Sequence, residues 1–484
     1  MSVFNNISIN LVGKLFSIGI QLAGTMVIAR LLTPQELGVF AVAAAGSTLL
    51  AAFKNFGTSN YLIQCKAVDP PAVGSAFIAT FFISAVLGFG LFTVSHEFAM
   101  FFNEPGIEPI LKLLAANFLI TPFITVGTSL LIRFQRFRQL IFIEISSAFV
   151  AMVVSVSAAY LGLGSLALAL GMTAHSLAML ALIHNSATPS LTYVPSYRDI
   201  GKVLSFGGWS SGAILLNQLG ARSNEFVIGK VLGVSFAAMF DKAASLSTLV
   251  GEQLFGDVLR VLLPVFADHR RKNREAELKR KYLEYMGILG TILVPLYLFL
   301  SFNAFPLITI LYGDQWLAAV PVASLIALEY MIISPCLVGE KLLISDGKVK
   351  KLFFIKAVQF AMRVMALLAF VSFGLLAASG GLVAAAVVYA WVIQGTLKRL
   401  LDLNWSDLTA SQREPLLAGI GGVMSGVITL WLFGYAEYGA EFQQIGASAL
   451  INLAIWLALG KLFNFSAYSI VLERFRDSLK KVWK

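Results

Sequence analysis

Stretches of about twenty apolar residues, the length a helix needs to cross a hydrocarbon core about 30 Å thick, recur from one end of this chain to the other. The run GSAFIATFFISAVLGFGLFTVS (74–95) carries no charged side chain at all. A soluble core cannot absorb so many segments of this kind: of 484 residues, 58% are hydrophobic and 13% charged, and the mean hydropathy is +0.81. The expectation is an all-α polytopic membrane protein with no room for a separate soluble domain.

Fourteen helices are expected. The first six cover 8–31, 36–55, 73–95, 109–132, 140–161 and 164–184. The next six cover 203–228, 235–260, 282–303, 317–338, 353–374 and 380–400, and two more follow at 415–434 and 444–464. The opening MSVFNNISIN has neither the basic region nor the small-residue cleavage site of a signal peptide, so helix one is expected to persist in the mature protein. Cys65 and Cys336 form neither a disulfide framework nor a metal-ligand spacing and read as packing residues.

The net charge of +10 is distributed by side. Counted at alternate membrane faces, thirty of the thirty-six Lys and Arg fall on one side, among them Lys54, Arg133, Arg198, the clusters Arg260–Lys281 and Lys341–Lys356, and the tail Lys461–Lys484. The positive-inside rule makes that side cytoplasmic and puts both termini there, as an even helix count requires. The basic run DHRRKNREAELKRKYLEY (268–285) then links helices eight and nine, as a topology determinant beside anionic membrane lipids or as a grip on a pyrophosphate headgroup. This pattern excludes nucleic acid as the partner of the positive charge.

One segment is written twice. ARLLTPQELGVFAVAAA (29–45) is echoed by GKVLGVSFAAMFDKAAS (229–245), pairing Arg30 with Lys230, Leu32 with Leu232, Phe40 with Phe240 and Ala43 with Ala243. In the first copy Thr33, Pro34 and Glu36 form a capping box with proline at the first helical position, so a helix starts there. FFNEP (101–105) against LYGDQ (311–315), and GSLALA (164–169) against GGLVAA (380–385), continue the series in order, at offsets of 200, 210 and 216 residues. Six helices separate equivalent points. The expected organisation is two parallel six-helix lobes, 1–200 and 201–405, accessory helices thirteen and fourteen in 406–464, and a basic tail, 465–484. Repeats of this kind mark transporters that open a central site to each side in turn.

Polar residues run in stripes along several helices. Helix one carries Asn10, Lys14, Ser17, Gln21 and Thr25, within an arc of about 80° at 100° per residue. Helix seven carries Ser211, Gln218, Arg222 and Glu225; helix eight carries Asp241, Ser245, Thr248 and Glu252. Helix eleven offers Lys356, Gln359 and Arg363, and helix five offers Glu144, Ser147 and Ser155. A charge at membrane depth costs at least about 2.5 kcal/mol, so these stripes are expected to face water or a partner and not lipid. Lys14, Gln21, Arg222, Gln218, Lys242 and Arg363 are the expected substrate-binding lining, suited to an anion such as phosphate. Glu144, Glu225, Asp241 and Glu252 are the expected proton or sodium sites. Two bland alternatives stand beside this: interhelical hydrogen bonding for the Ser, Thr and Gln positions, and snorkelling for Lys14 and Arg363.

Taken as a set, ARLLTPQELGVF, GTSNYLIQ (57–64), FFNEP, LLIRFQRFRQLIFIEISSAFV (130–150), LGLGSLALALG (161–171), LSFGGWSSG (204–212), FVIGKVLG (226–233) and LYGDQWLAAVP (311–321) resemble the Wzx-like polysaccharide transporters. These belong to the multidrug/oligosaccharidyl-lipid/polysaccharide (MOP) superfamily, and the resemblance is to the exopolysaccharide and capsule branch. It implies a V-shaped fold of two lobes in the bacterial inner membrane. It also implies a flippase that moves polyprenyl-pyrophosphate-linked oligosaccharide repeat units to the periplasmic leaflet, with Lys14 and Arg222, helped by Lys242 and Arg363, meeting the pyrophosphate. A polysaccharide polymerase and co-polymerase are the protein partners it suggests.

Two rivals remain beside that reading. A multidrug or other lipid exporter of the same superfamily would prefer a more aromatic or acidic cavity. A membrane glycosyltransferase or polymerase would need a catalytic loop outside the bilayer, yet the longest expected periplasmic connection is about a dozen residues, no DxD motif occurs, and His96, His175, His184 and His269 are scattered. No enzyme activity, cofactor or metal is expected.

Overall fold

A computed structural model describes residues 3–54, 58–65, 69–186, 196–201, 208–434 and 441–469. Every regular element among them is helical. Contacts divide the chain into two units, Met1–Ala238 and Met239–Lys484.

In the first unit the helices are α1 (Val3–Leu31), α2 (Pro34–Lys54), α3 (Thr58–Gln64), α4 (Pro70–Phe102), α5 (Ile107–Arg133), α6 (Phe137–Tyr160), α7 (Leu166–Asn185) and α8 (Gly208–Val231). The short α9 (Val234–Thr248) runs across the division into the second unit, which continues with α10 (Gly256–Arg271), α11 (Glu275–Phe302), α12 (Ala304–Tyr312), α13 (Val320–Ile333), α14 (Cys336–Ser345) and α15 (Val349–Phe370). It closes with α16 (Leu375–Leu401), α17 (Trp405–Ser411), α18 (Arg413–Phe433) and α19 (Glu441–Phe463). Each of the fourteen expected helices has a helical counterpart here, and ten of those counterparts are long and apolar enough to span a membrane. Their large apolar side chains point outward in numbers no soluble protein tolerates: Phe89, Trp391, Trp431 and Phe442 are all more than two-thirds exposed.

The first unit begins where the capping box places α2. The Thr33 N–H donates to Glu36 Oε2 at 2.8 Å, and the Glu36 N–H to Thr33 Oγ1 at 3.3 Å, which satisfies two of the helix's orphan donors. The second copy of that turn packs directly on the first. Equivalent residues 35 and 235 meet, Ser235 Oγ donating to Gln35 Oε1 while Gln35 Nε2 donates to Glu104 at 2.5 Å. Gly38 permits this approach, since a Cβ there would lie 2.0 Å from the Val234 carbonyl oxygen. The partner turn between α8 and α9 depends on Gly233, whose φ of +102° disfavours any side chain. Lys230 completes the corner by donating to the Phe101 carbonyl at 2.5 Å. Elsewhere in the unit α4 packs on α5, α6 on α7, α1 on α6 and α2 on α8.

Tyr282, Tyr297, Tyr389 and Phe266 are fully buried in the large aromatic and aliphatic core of the second unit. α11 is its centre, packed against α13 and α18, while α15 and α16 pair with one another. The two helices read as accessory, α18 and α19, are bound into this unit: Trp456 Nε1 donates to the Thr291 carbonyl at 2.9 Å and Asn303 Nδ2 to Ser448 Oγ at 2.8 Å.

Three expected boundaries change. Expected helix eight, 235–260, is divided between α9 and α10 by the turn at 249–254. The basic run 268–285 is no open link, because α10 continues to Arg271 and α11 begins at Glu275. Acids at helical spacing hold the bases there, Lys272 with Asp268 at 2.7 Å and Lys281 with Glu284 at 3.0 Å, and support helix through most of the run. Expected helix ten, 317–338, is interrupted at Ser334–Pro335, and α14 begins at Cys336.

Candidate functional site

The polar stripes are best judged one helix at a time. On α1 the side chains of Asn10, Lys14 and Ser17 lie outside the described residues, while Gln21 is exposed and Thr25 half-buried. An apolar groove of about 640 Å³ opens between α1 and α6, lined by Phe16, Ile20 and Phe149 among others. At 100° per residue its α1 lining falls on the side of the helix opposite Gln21 and Thr25.

On α8, Arg222 and Glu225 form a pair one turn apart, with Nη1 donating to Oε1 at 3.0 Å. Glu225 and its neighbour Asn224 are buried, Arg222 is about one-third exposed, and Gln218 is half-buried one turn earlier. The sequence reading treated Arg222 as an anion binder and Glu225 as a cation site; the structure joins them. Glu144 of α6 is exposed, and Ser147 and Ser155 of the same stripe are buried.

On α9 the adjacent residues Asp241 and Lys242 approach to 3.5 Å, a loose contact for side chains that leave a helix 100° apart. Lys242 lies 6.0 Å from the centre of the Tyr312 ring, and the Tyr312 hydroxyl meets Ser245 Oγ at 2.7 Å. After α9 the chain makes a π-helical turn over Leu249–Leu254, a distortion of the sort found where helices carry function. Glu252 belongs to that turn, and its side chain lies outside the described residues.

The stripe on α15 has the fullest set of partners. Lys356 Nζ donates to Glu340 Oε1 of α14 at 2.5 Å and to Gln359 Oε1 at 3.1 Å, and lies 3.4 Å from the Tyr389 hydroxyl of α16. That hydroxyl donates to the same Glu340 oxygen at 2.6 Å. Two turns on, Arg363 Nη1 donates to Glu329 Oε1 of α13. Glu329 is 1% exposed, and among the described residues its second carboxylate oxygen has no hydrogen-bond partner; neither does Arg363 Nε.

Glu329, Glu340 and Tyr389 are candidate site residues that the sequence reading did not single out. A signal for the acids existed: Glu329 stands alone in the apolar SLIALEYMII (324–333), where an isolated carboxylate demands a counter-charge, and Glu340 lies with Lys341 in the otherwise apolar CLVGEKLL (336–343).

Outside the spans, each unit carries an acidic residue clipped to arginine. Arg198 donates to both Asp69 oxygens at 3.0 and 2.8 Å, and this, with the Ala72 N–H, holds the Asp69 carboxyl below its ordinary range. In the second unit burial works to raise the Asp346 carboxyl, but bonds from Arg270, both 2.6 Å, and from Lys348 outweigh it and leave it lowered. Among the described residues, no three His, Cys, Asp or Glu side chains gather to hold a metal.

Comparison with known proteins bears on family and fold. The chain is 25% identical over 421 residues to the succinoglycan biosynthesis transport protein ExoT of Rhizobium meliloti (strain 1021), covering 87% of this chain and 82% of that protein. It is 22% identical over 329 residues to the lipopolysaccharide biosynthesis protein WzxC of Escherichia coli (strain K12), covering 66% and 64% respectively. Among solved structures, the lipid II flippase MurJ in an inward closed conformation shares its fold at a TM-score of 0.76 and 12% identity, over 94% of this chain and 99% of that one. An inward-facing multidrug resistance MATE family transporter of the MOP superfamily matches at 0.67 and 17%, over 81% and 98%. Residues 27–321, more than half of the chain, match the family described as polysaccharide biosynthesis protein, and this multi-pass membrane protein therefore belongs to that family, built on the fold of the MOP transporters.

Proposed function

We propose that this protein is a flippase for polyprenyl-pyrophosphate-linked oligosaccharide repeat units, carrying them from the cytoplasmic to the periplasmic leaflet of the bacterial inner membrane for polysaccharide assembly. The observation that carries the reading is the similarity to a succinoglycan biosynthesis transport protein over 87% of the chain, on a fold shared with a lipid II flippase.

The chemistry supports it. A diphosphate headgroup cannot cross hydrocarbon unaccompanied, and cations held at membrane depth are what such a group requires. Arg222, Lys242 and Arg363 lie on α8, α9 and α15, each beside an acid that balances it until an anion arrives. Lys14 belongs to the same set by its position on α1. In the proposed cycle these residues capture the pyrophosphate from the cytoplasmic side, the polyprenyl tail stays in the bilayer, and alternating access exposes the sugar to the periplasm. Both termini lie in the cytoplasm, and a polymerase consumes the product. Consumption alone supplies the direction of transport, or a proton does so at Asp241, Glu252 or Glu144.

Deletion of the gene in a polysaccharide-producing host tests this. The expected result is loss of the surface polymer with accumulation of lipid-linked repeat units on the cytoplasmic leaflet. Undiminished polymer, or export of unrelated cationic dyes by the purified protein, would move the assignment to the multidrug branch of the superfamily.

A further inference from the structure

Lys356 and Arg363 are seven residues apart on α15, hence on one face and about 10 Å apart along the axis. Each is held by a carboxylate from another helix, so neither presents a free positive charge. The two holds differ in quality. Lys356 has acceptors in Glu340, Gln359 and Tyr389, and spends all three of its N–H bonds. Arg363 and Glu329 meet by one bond, although a guanidinium and a carboxylate can form two, and among the described residues the remaining Glu329 oxygen and Arg363 Nε stay buried without partners.

A site meant only to join helices would have closed that second bond. A site meant only to bind an anion would have left out the carboxylates. Two bare cations enclosed together would hold a diphosphate too tightly to release it, and passage through a membrane requires binding strong enough to admit the ion and weak enough to let it leave. Built-in carboxylates achieve this by competing with the ligand for the same cation.

We infer that Glu329 and Glu340 are counter-carboxylates that set how long Arg363 and Lys356 retain the pyrophosphate of a passing lipid carrier, so that α15 serves as a two-rung ladder for an anion. This rests on the flippase reading above. The Arg363 rung, already half open, exchanges its carboxylate for phosphate oxygen more readily, and the vacant Nε supplies the second tooth of the new contact. Lys356 is the tighter rung, and Tyr389 stays with Glu340 when the lysine moves away.

The experiment is a concentration series of fluorescent polyprenyl-pyrophosphate-linked oligosaccharide in proteoliposomes, giving KM and kcat for wild type, Glu329→Gln, Glu340→Gln, Arg363→Gln and the Glu329→Gln/Arg363→Gln double variant. Removing a competing carboxylate should tighten capture and slow release: KM falls about threefold and kcat about tenfold in Glu329→Gln, with smaller shifts of the same sign in Glu340→Gln. Arg363→Gln should raise KM, and the double variant should follow it. A purely structural role predicts loss of kcat without a fall in KM, and recovery in the double variant; that result, or wild-type constants in both glutamine variants, would overturn the inference while leaving the flippase reading intact. If Glu329→Gln does not fold, Glu340→Gln decides by the same criterion. Wild-type protein that moves no such lipid would overturn both.

Discussion

Within Met1–Ala238, several polar side chains of different helices meet as neutral pairs. Thr80 donates to Thr58 at 2.9 Å, Ser129 to Ser59 at 2.9 Å, and Asn117 to Thr173 at 3.1 Å. Within Met239–Lys484, contacts between α13, α14 and α15 carry full charges, Arg363 with Glu329 and Lys356 with Glu340. In the first unit Arg222 pairs with Glu225 one turn along the same helix. The difference teaches where each unit can change state. A neutral interhelical hydrogen bond in a membrane protein is worth about 0.6 kcal/mol, whereas stripping one partner from a buried ion pair costs about 3–5 kcal/mol. The charged contacts between α13, α14 and α15 are therefore costlier to break than the neutral pairs of the first unit.

The comparison breaks most readily at Arg363. Arg363→Gln leaves Glu329 buried without a counter-charge and should cost about 3–5 kcal/mol, read as a fall in thermal stability of the detergent-solubilised protein, with most of it regained when Glu329→Gln is added. If the single variant were as stable as wild type, the charged pair would be no stronger than a hydroxyl pair. The first unit should fail through sterics instead. Gly38→Ala drives a methyl group into the Val234 carbonyl and is expected to cost up to about 3 kcal/mol, with the two copies of the repeated turn forced apart, visible as lost cross-linking between cysteines placed at positions 35 and 235.

A third variant sharpens the electrostatic side. Asp346→Asn removes a carboxylate that accepts from Arg270 and Lys348 and should destabilise the second unit by about 2 kcal/mol at pH 7. Because the Asp346 carboxyl is lowered in the folded protein, its contribution is present above the ordinary aspartate value and lost as the pH falls through the lowered one. The gap between variant and wild type should thus close below about pH 4. The smallest effect belongs to Thr80→Val, about 0.6 kcal/mol by the same melting measurement.

The helices were legible in the sequence because twenty-residue apolar runs have few alternatives, and the start of α2 because Thr33 and Glu36 sit at capping-box spacing. The α15 stripe was legible too, since Lys356, Gln359 and Arg363 repeat at helical intervals. Their acidic partners were not weighed: Glu329 and Glu340 are 34 and 16 residues distant from the bases they meet, a proximity created by the packing of α13, α14 and α15 and absent from any local pattern. The extension of α10 to Arg271 escaped for a related reason. A basic run reads as solvated link, yet its interleaved acids satisfy the bases one helical turn apart.

The most direct test of the account is the rate at which a fluorescent polyprenyl-pyrophosphate-linked oligosaccharide reaches the opposite leaflet of vesicles containing the purified protein. Wild type should exceed protein-free vesicles by orders of magnitude, and Arg222→Ala and Lys14→Ala should lose at least about tenfold of that rate. Wild-type vesicles no faster than empty ones would contradict the assignment of function, and undiminished transport in both variants would contradict the place given to these two cations in it.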